Sequence, residues 1–187
     1  MATILADSPP SRPNNLKLGS VLGGRYRVES ILGHGGFGTV FEAIHVGTGQ
    51  RVAVKALESS GEADETEVRR FFQEARITAQ LQHPNTVRVF DFGQGDDGLI
   101  YLVMELLRGQ SLRQFINQRR RERQATTQPE AIEIGLQIAS SLVEAHAAGL
   151  VHRDLKPDNV FIQEVSSSQK LVKVLHFGIA KVQNASL

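Results

Sequence analysis

The spacing of apolar residues changes once along this 187-residue chain, and that change limits the folds open to it. Up to about Leu106, apolar and polar residues mostly alternate. "YRVESILG", "TVFEAIHV", "RVAVKAL", "TVRVFDFG" and "LIYLVMEL" each read as a strand with one face toward a core. The turns "GTGQ" and "QGDDG" make hairpins of two pairs. One segment breaks the alternation. "EADETEVRRFFQEARITAQLQ" carries Phe71, Glu74, Thr78 and Leu81 at helical spacing, with acids crowding its first turns, where the helix dipole favours them. From Ser111 onward the period becomes three to four. "SLRQFINQRRRER" reads as a short helix fraying into a basic loop. Thr127-Gln128-Pro129-Glu130 has capping-box spacing. It opens a helix with Ile132, Leu136, Ala139 and Val143 on one face, further apolar residues at Ile134, Ile138 and Leu142, and Gly149 as its stop. Two short strands, "NVFIQ" and "KLVKVL", follow around a Ser-rich turn. The expectation is an α+β fold: a five-strand antiparallel sheet with one helix inserted after the third strand, then a helical part.

A flexible arm is expected over residues 1–20, followed by one domain over 21–187. That domain divides into a sheet part (about 21–104), a connection (about 105–110) and a helical part (about 111–187). Hydrophobic residues make up 41% and charged residues 22%, as in an ordinary soluble protein. A formal charge of +1 steers the chain toward neither nucleic acid nor membrane. The arginines at 119–121 and 123 read as a solvated helix end, so no nucleic-acid partner is expected. With no cysteine, disulfides and thiolate metal sites are excluded, and a reducing, cytoplasmic setting fits. "LIYLVMELL" contains Glu105 and is too short to span a bilayer, and the first residues lack the pattern of a signal peptide.

Three stretches carry chemistry. "LGHGGFGTV" places Gly33, Gly35 and Gly38 between two antiparallel strands. Dinucleotide folds use such glycines between a strand and a helix, so the context favours a flap whose backbone N–H groups cover phosphates; an ordinary glycine-rich hairpin is the alternative. "VAVK" puts Lys55 on the next strand, a rigid perch for a cation that must neutralise phosphate, with Glu74 on the following helix as its candidate carboxylate partner. The third stretch is "HRDLKPDN". Here the chain resembles the serine/threonine protein kinases, the bacterial members most closely. "GRYRVESILGHGGFGTVFEA", "HPNTVRVFDFG" and "GLVHRDLKPDNVFI" have the same character, and the resemblance covers nearly everything after the arm.

The resemblance implies a protein-kinase fold, ATP and Mg²⁺ as cofactors, and a protein substrate. It implies a role for each matching residue. Gly33, Gly35 and Gly38 would form the phosphate flap, and Leu32 would also be a nucleotide-binding residue. Lys55 would pair the α- and β-phosphates and be positioned by Glu74. Asp154 would be the catalytic base, Lys156 would approach the γ-phosphate, and Asn159 would hold one Mg²⁺. Val40, Ala53 and Phe161 would sandwich the adenine, Glu105 and Leu107 would offer it backbone hydrogen bonds, and Met104 would shape the back of the pocket. His152 would pack beneath the site, and Arg153 would be scaffold. Asp91-Phe92-Gly93 spells the family's metal motif literally but lies too early, and reads as a strand end with a turn glycine.

The family's metal position comes later, in "VKVLHFGIAK", where its aspartate is replaced by His176. Magnesium takes hard oxygen ligands, and a neutral imidazole supplies no charge. A carboxylate about 4 Å from a unit cation is worth roughly 4 kcal/mol at an effective dielectric near 20. The replacement should slow phosphoryl transfer by on the order of a thousandfold. The family's activation segment and later helices do not follow either, so a fragment, a decayed product or a minimal nucleotide-binding remnant is expected. The resulting expectation is a kinase-like domain with weakened Mg²⁺ binding and weak or absent catalysis. Its rivals are a pseudokinase that binds or regulates a partner, and an inactive fragment.

Overall fold

The computed structural model describes residues 16–35, 38–56, 65–95, 98–164, 170–175 and 177, with backbone alone at 35, 65–67, 70, 74 and 164. Strands β1 (Val21–Leu22), β2 (Tyr26–Gly35), β3 (Gly38–His45), β4 (Arg51–Ala56), β5 (Val89–Gln94) and β6 (Ile100–Glu105) form an antiparallel sheet in the order β1-β2-β3-β4-β6-β5. The five strands expected from alternation are present. β1 adds a two-residue edge strand, too short to carry a periodic signal. Helix α1 (Glu65–Thr78) follows β4 and so keeps its place after the third long strand. It ends at Thr78 because Gln80 and Leu81 turn back on Ile77 and Thr78.

Period-two alternation divides the sheet cleanly. Val52, Val54, Tyr101 and Val103 pack on one face with Tyr26 and Ala43. Ala53, Ile100, Leu102 and Met104 pack on the other against Phe71 and Ala75 of α1. Asp91-Phe92-Gly93 lies inside β5, paired with β6. Asp91 accepts the Tyr26 hydroxyl at 2.8 Å and pairs with Arg25 at 2.9 Å, so it serves the sheet. Gly93 is not the turn glycine that was expected: a Cβ there would lie 2.8 Å from the Tyr101 hydroxyl, and the turn itself is closed by Gly95 and Gly98.

The second region holds β7 (Gly109–Ser111), α2 (Leu112–Arg121), α3 (Gln128–Ala147), a 3₁₀ turn (Pro157–Asn159), β8 (Val160–Glu164) and β9 (Lys170–Val174). β7, β8 and β9 form a small sheet. The full capping box is at α2: Ser111 Oγ accepts from Gln114 N, and Gln114 Oε1 accepts from Ser111 N. At α3 only one arm of the expected box forms, from Glu130 N to Thr127 Oγ1. The Glu130 carboxylate is drawn instead to Lys170 at 2.6 Å and Arg119 at 3.0 Å, two full charges outcompeting one backbone N–H. Arg119 therefore leaves the solvated run to which it was assigned and lies over the Phe115 ring, while Arg120, Arg121 and Arg123 stay exposed.

Helix α3 is rotated from the expected face. Ile134, Ser141 and Ala145 are buried, and Ile138 and Leu142 pack on the core. Ile132, Leu136 and Val143 are 52%, 63% and 69% exposed. Both rows repeat at three and four, so period alone cannot choose between them. The inner row includes polar Gln137 and Ser141, which bond Asn85 Nδ2 and Thr86 Oγ1 respectively. Glu144 adds its two oxygens to the amides of Gln82 and His83, both at 2.9 Å. These bonds anchor the segment between α1 and β5 to α3, and Thr86 bridges to Val174 of β9.

Candidate functional site

The register of the large sheet assembles one wall. Val40 lies opposite Lys55, and Ala53 opposite Met104. Alternation puts Ala53 and Lys55 on the same side of β4. Lys55 is only 5% exposed. Burial is the main cause that pushes its ammonium down to about 8, while Asp154 pulls it back up and Lys156 pushes it further down. Above this wall β2 and β3 form the glycine hairpin, with Gly33 opposite Val40, His34 opposite Thr39 and Gly35 opposite Gly38. A 3.0 Å bond between His34 Nδ1 and Thr39 Oγ1 ties the two strands together. Leu32 is half exposed.

Facing this wall is the loop between α3 and β8. Arg153 takes a left-handed conformation, φ 61°, that side chains rarely adopt. The kink lets the Asp154 amide donate to His152 O and to His152 Nδ1. His152 is buried, and burial holds its pKa below the usual value, so the ring is neutral near pH 7. Its Nε2–H donates to Leu175 O at 2.7 Å, which leaves Nδ1 as the acceptor that Asp154 needs. Phe177 closes against the ring at 4.9 Å. Asn159 is buried and donates Nδ2 to both the carbonyl and the carboxylate of Asp154, each at 2.8 Å. Lys156 Nζ lies 2.9 Å from Asp154 Oδ2. The hydrogen bond from Lys156, then that from Asn159, keep the Asp154 carboxyl below the ordinary range, so it stands ionised as a proton acceptor.

A buried lysine beside a glycine hairpin in one region thus lies near enough to an oriented, ionised aspartate of the other for their charges to act on each other. The model of the protein kinase domain matches residues 26–187. This chain belongs to the protein kinase family. Serine/threonine-protein kinase Pkn3 of Myxococcus xanthus is 37% identical over 169 residues, covering 90% of this chain and 30% of its own length. Serine/threonine-protein kinase PknA of Mycobacterium tuberculosis is 40% identical over 174 residues, covering 91% and 38%. The crystal structure of the M. tuberculosis PknI kinase domain matches with a TM-score of 0.77 and 32% identity, over 88% of this chain and 64% of that one. The chain thus spans about a third of the length of these two curated relatives.

In this kinase-like domain the sheet region is the small lobe and the helical region belongs to the large lobe. The residues expected to cradle adenine fall on the two sides of the gap. Val40, Ala53 and Met104 come from the small lobe, and Phe161 comes from β8 of the large lobe. Glu105 ends β6, and Leu107 lies in the connection with its side chain packed on the small-lobe core. Asp158 pairs with Arg113 at 3.3 Å on the surface. The Glu74 side chain and His176, and with them the expected Lys55–Glu74 pairing and metal position, lie outside the described residues. No three His, Cys, Asp or Glu side chains gather into a metal cage among the described residues. A hard donor is present among the described residues: Asn159 gives its amide nitrogen to Asp154, and its side-chain oxygen is of the type magnesium takes. Magnesium commonly takes one or two protein ligands and fills its shell with phosphate and water, so this donor fits half of such a site.

Sequence reading overlooked Glu144, Gln137 and Lys173, which knit the lobes together. Lys173 had a visible signal, as a cation flanked on both sides by apolar residues in "KLVKVL".

Proposed function

We propose that this domain binds ATP between its lobes, and that its phosphoryl transfer to a protein serine or threonine is weak or absent. The reading rests on the family membership and, above all, on the facing arrangement of buried Lys55 and ionised Asp154. Lys55 would neutralise the α- and β-phosphates. Asp154 would accept the proton of the attacking hydroxyl as its oxygen bonds the γ-phosphorus, the bond to the β-phosphate oxygen breaks, and ADP leaves. Lys156, already beside Asp154, would approach the γ-phosphate. Asn159 would hold one Mg²⁺, which when bound would supply positive charge against that of the phosphates. The reduced activity is argued from His176, where the family supplies a carboxylate.

A second reading, a pseudokinase that binds nucleotide without turnover, is favoured by the same histidine. Calorimetric titration with ATP in chelator and in excess Mg²⁺, alongside radiolabelled transfer to a generic protein substrate, separates the two readings. We expect binding with little Mg²⁺ dependence, and His176→Asp should restore that dependence. An increase in affinity of a hundredfold or more with Mg²⁺ in the parent protein would overturn the assigned role of His176. No ATP binding in either condition would overturn the reading as a whole.

A further inference from the structure

Lys173 is a charged residue left only 8% exposed inside the small sheet. A buried ammonium persists only where partners replace its water. Here Nζ lies 2.7 Å from Glu105 Oε1 and 3.4 Å from Thr86 O. These three residues come from three segments. Lys173 is on β9 of the large lobe, Glu105 ends β6 of the small lobe, and Thr86 lies in the segment that Ser141 and Glu144 anchor to α3. The same Glu105 oxygen accepts from Arg88 N at 2.8 Å, and Glu105 N donates to Arg88 O at 2.9 Å. The carboxylate at the start of the interlobe connection is therefore held from both sides. Directly across the β8–β9 ladder, Lys173 is paired with Phe161. Antiparallel partners share a face, so Lys173 sits beside the residue assigned to the floor of the adenine pocket.

We infer that Lys173 is a positioning residue for the nucleotide base: through Glu105 it fixes the connection backbone relative to the Phe161 floor, so that the adenine slot is set before ligand arrives. This deepens the ATP-binding reading and rests on it. A slot with its edge and floor tied together loses less freedom on binding, and that advantage belongs to the base alone. The triphosphate, held at the far end by Lys55 and the glycine hairpin, should not sense the tie.

The experiment measures ATP and inorganic tripolyphosphate binding by calorimetry for the parent, Lys173→Met, Glu105→Gln and the double variant. We expect each single variant to lose roughly tenfold in ATP affinity, a coupling of the usual allosteric size, and the double variant to lose little more. Tripolyphosphate affinity should stay within about twofold, a difference too small to count as coupling. Should Lys173→Met fail to fold, Glu105→Gln, which keeps size and a hydrogen-bonding oxygen, carries the same test. Equal losses for ATP and tripolyphosphate would reduce Lys173 to a structural brace and overturn the inference. So would single-variant losses that simply add. Absence of ATP binding in the parent would instead defeat the proposed function, a different outcome from a parent that binds and variants that bind equally well.

Discussion

The glycine hairpin and the Asp154 loop face the same gap but are built in opposite ways. Asp154 is held from several directions: Asn159 and Lys156 grip its carboxylate, and its own N–H rests on a buried histidine that Phe177 closes over. Among the described residues the hairpin has strand pairing and two side-chain bonds between its strands, His34 to Thr39 and Ser30 to Glu42. A Cβ added at Gly33 would meet nothing within 4 Å. One wall is over-determined; the other, among the described residues, is held mainly by strand pairing. A group that must take a proton at one point gains from fixed geometry. A cover over a flexible triphosphate gains from backbone N–H groups that can move to meet it. Lys55 stands between the two, rigidly mounted yet held at the cost of burial.

Lys55 should give the largest effects. Its pKa of about 8 instead of 10.5 means that the folded protein disfavours the charged form. The burial cost is fully present below pH 8 and is relieved as pH rises toward 10.5, so stability should increase over that window by up to about 3 kcal/mol. Lys55→Met should abolish this rise and stabilise the protein at pH 7, while weakening ATP binding by roughly thirtyfold through loss of a charged hydrogen bond. Phosphate should recharge the lysine, so near pH 8 ATP binding should take up about half a proton. Calorimetry in buffers of different ionisation enthalpy reads this directly. If uptake is zero and Lys55→Met destabilises the fold, Lys55 belongs to the rigid wall as a structural ion pair, and the contrast drawn above fails on its side.

Next in size is Asn159→Ala, which tests the over-determined wall. The substitution leaves the Asp154 carbonyl and carboxylate without their buried donor, at a cost of about 2 kcal/mol. Urea denaturation should show that loss. The Asp154 carboxyl should also titrate higher, because the Asn159 hydrogen bond that favours its ionised form is gone. Unchanged stability would mean that Lys156 and the backbone hold the loop unaided.

How far these walls could be read from letters differs for physical reasons. Strand alternation gave β4 and β6 because a period of two leaves only two sides, and Ala53 and Met104 fall together on the side that packs against α1; a place for them at the nucleotide was implied by the family resemblance alone. In α3 the two apolar rows, Ile132-Leu136-Val143 and Ile134-Ile138-Ala145, are equally periodic. The choice fell to Gln137, Ser141 and Glu144, whose polar side chains find partners in the His83–Thr86 segment. Polar groups that secure a buried face look from sequence like residues of the outer face. Glu130 was misjudged in a related way: its spacing from Thr127 fits a capping box, but the competing cation, Lys170, is 40 residues away in sequence. Letters three apart reveal local bonds and hide distant rivals. The stretch "HRDLKPDN" was picked out by the family resemblance, and Asp154 and Asn159 meet within that one short loop.

The smallest predicted effect concerns two glycines of the hairpin that differ in why they are glycine. Gly38 has φ 121°, a backbone conformation closed to most side chains, so Gly38→Ala should cost about 1–2 kcal/mol of stability. Gly33 has neither a positive φ nor a neighbour that a Cβ would meet. Nothing in the protein itself demands glycine there, so Gly33→Ala should alter stability by less than about 0.5 kcal/mol, as for an open surface site. The remaining demand is close approach of a ligand to the backbone. If phosphate lies under Gly33, the alanine methyl should weaken ATP severalfold while leaving the denaturation midpoint in place. Gly38→Ala should instead lower stability, with affinity falling only as the hairpin distorts. Urea midpoints and ATP titrations on the two variants give four numbers, and the prediction is a crossed pattern. A Gly33→Ala protein that binds ATP like the parent would remove the hairpin from the phosphate site at that position. The softness of this wall would then reflect an exposed turn instead of a cover.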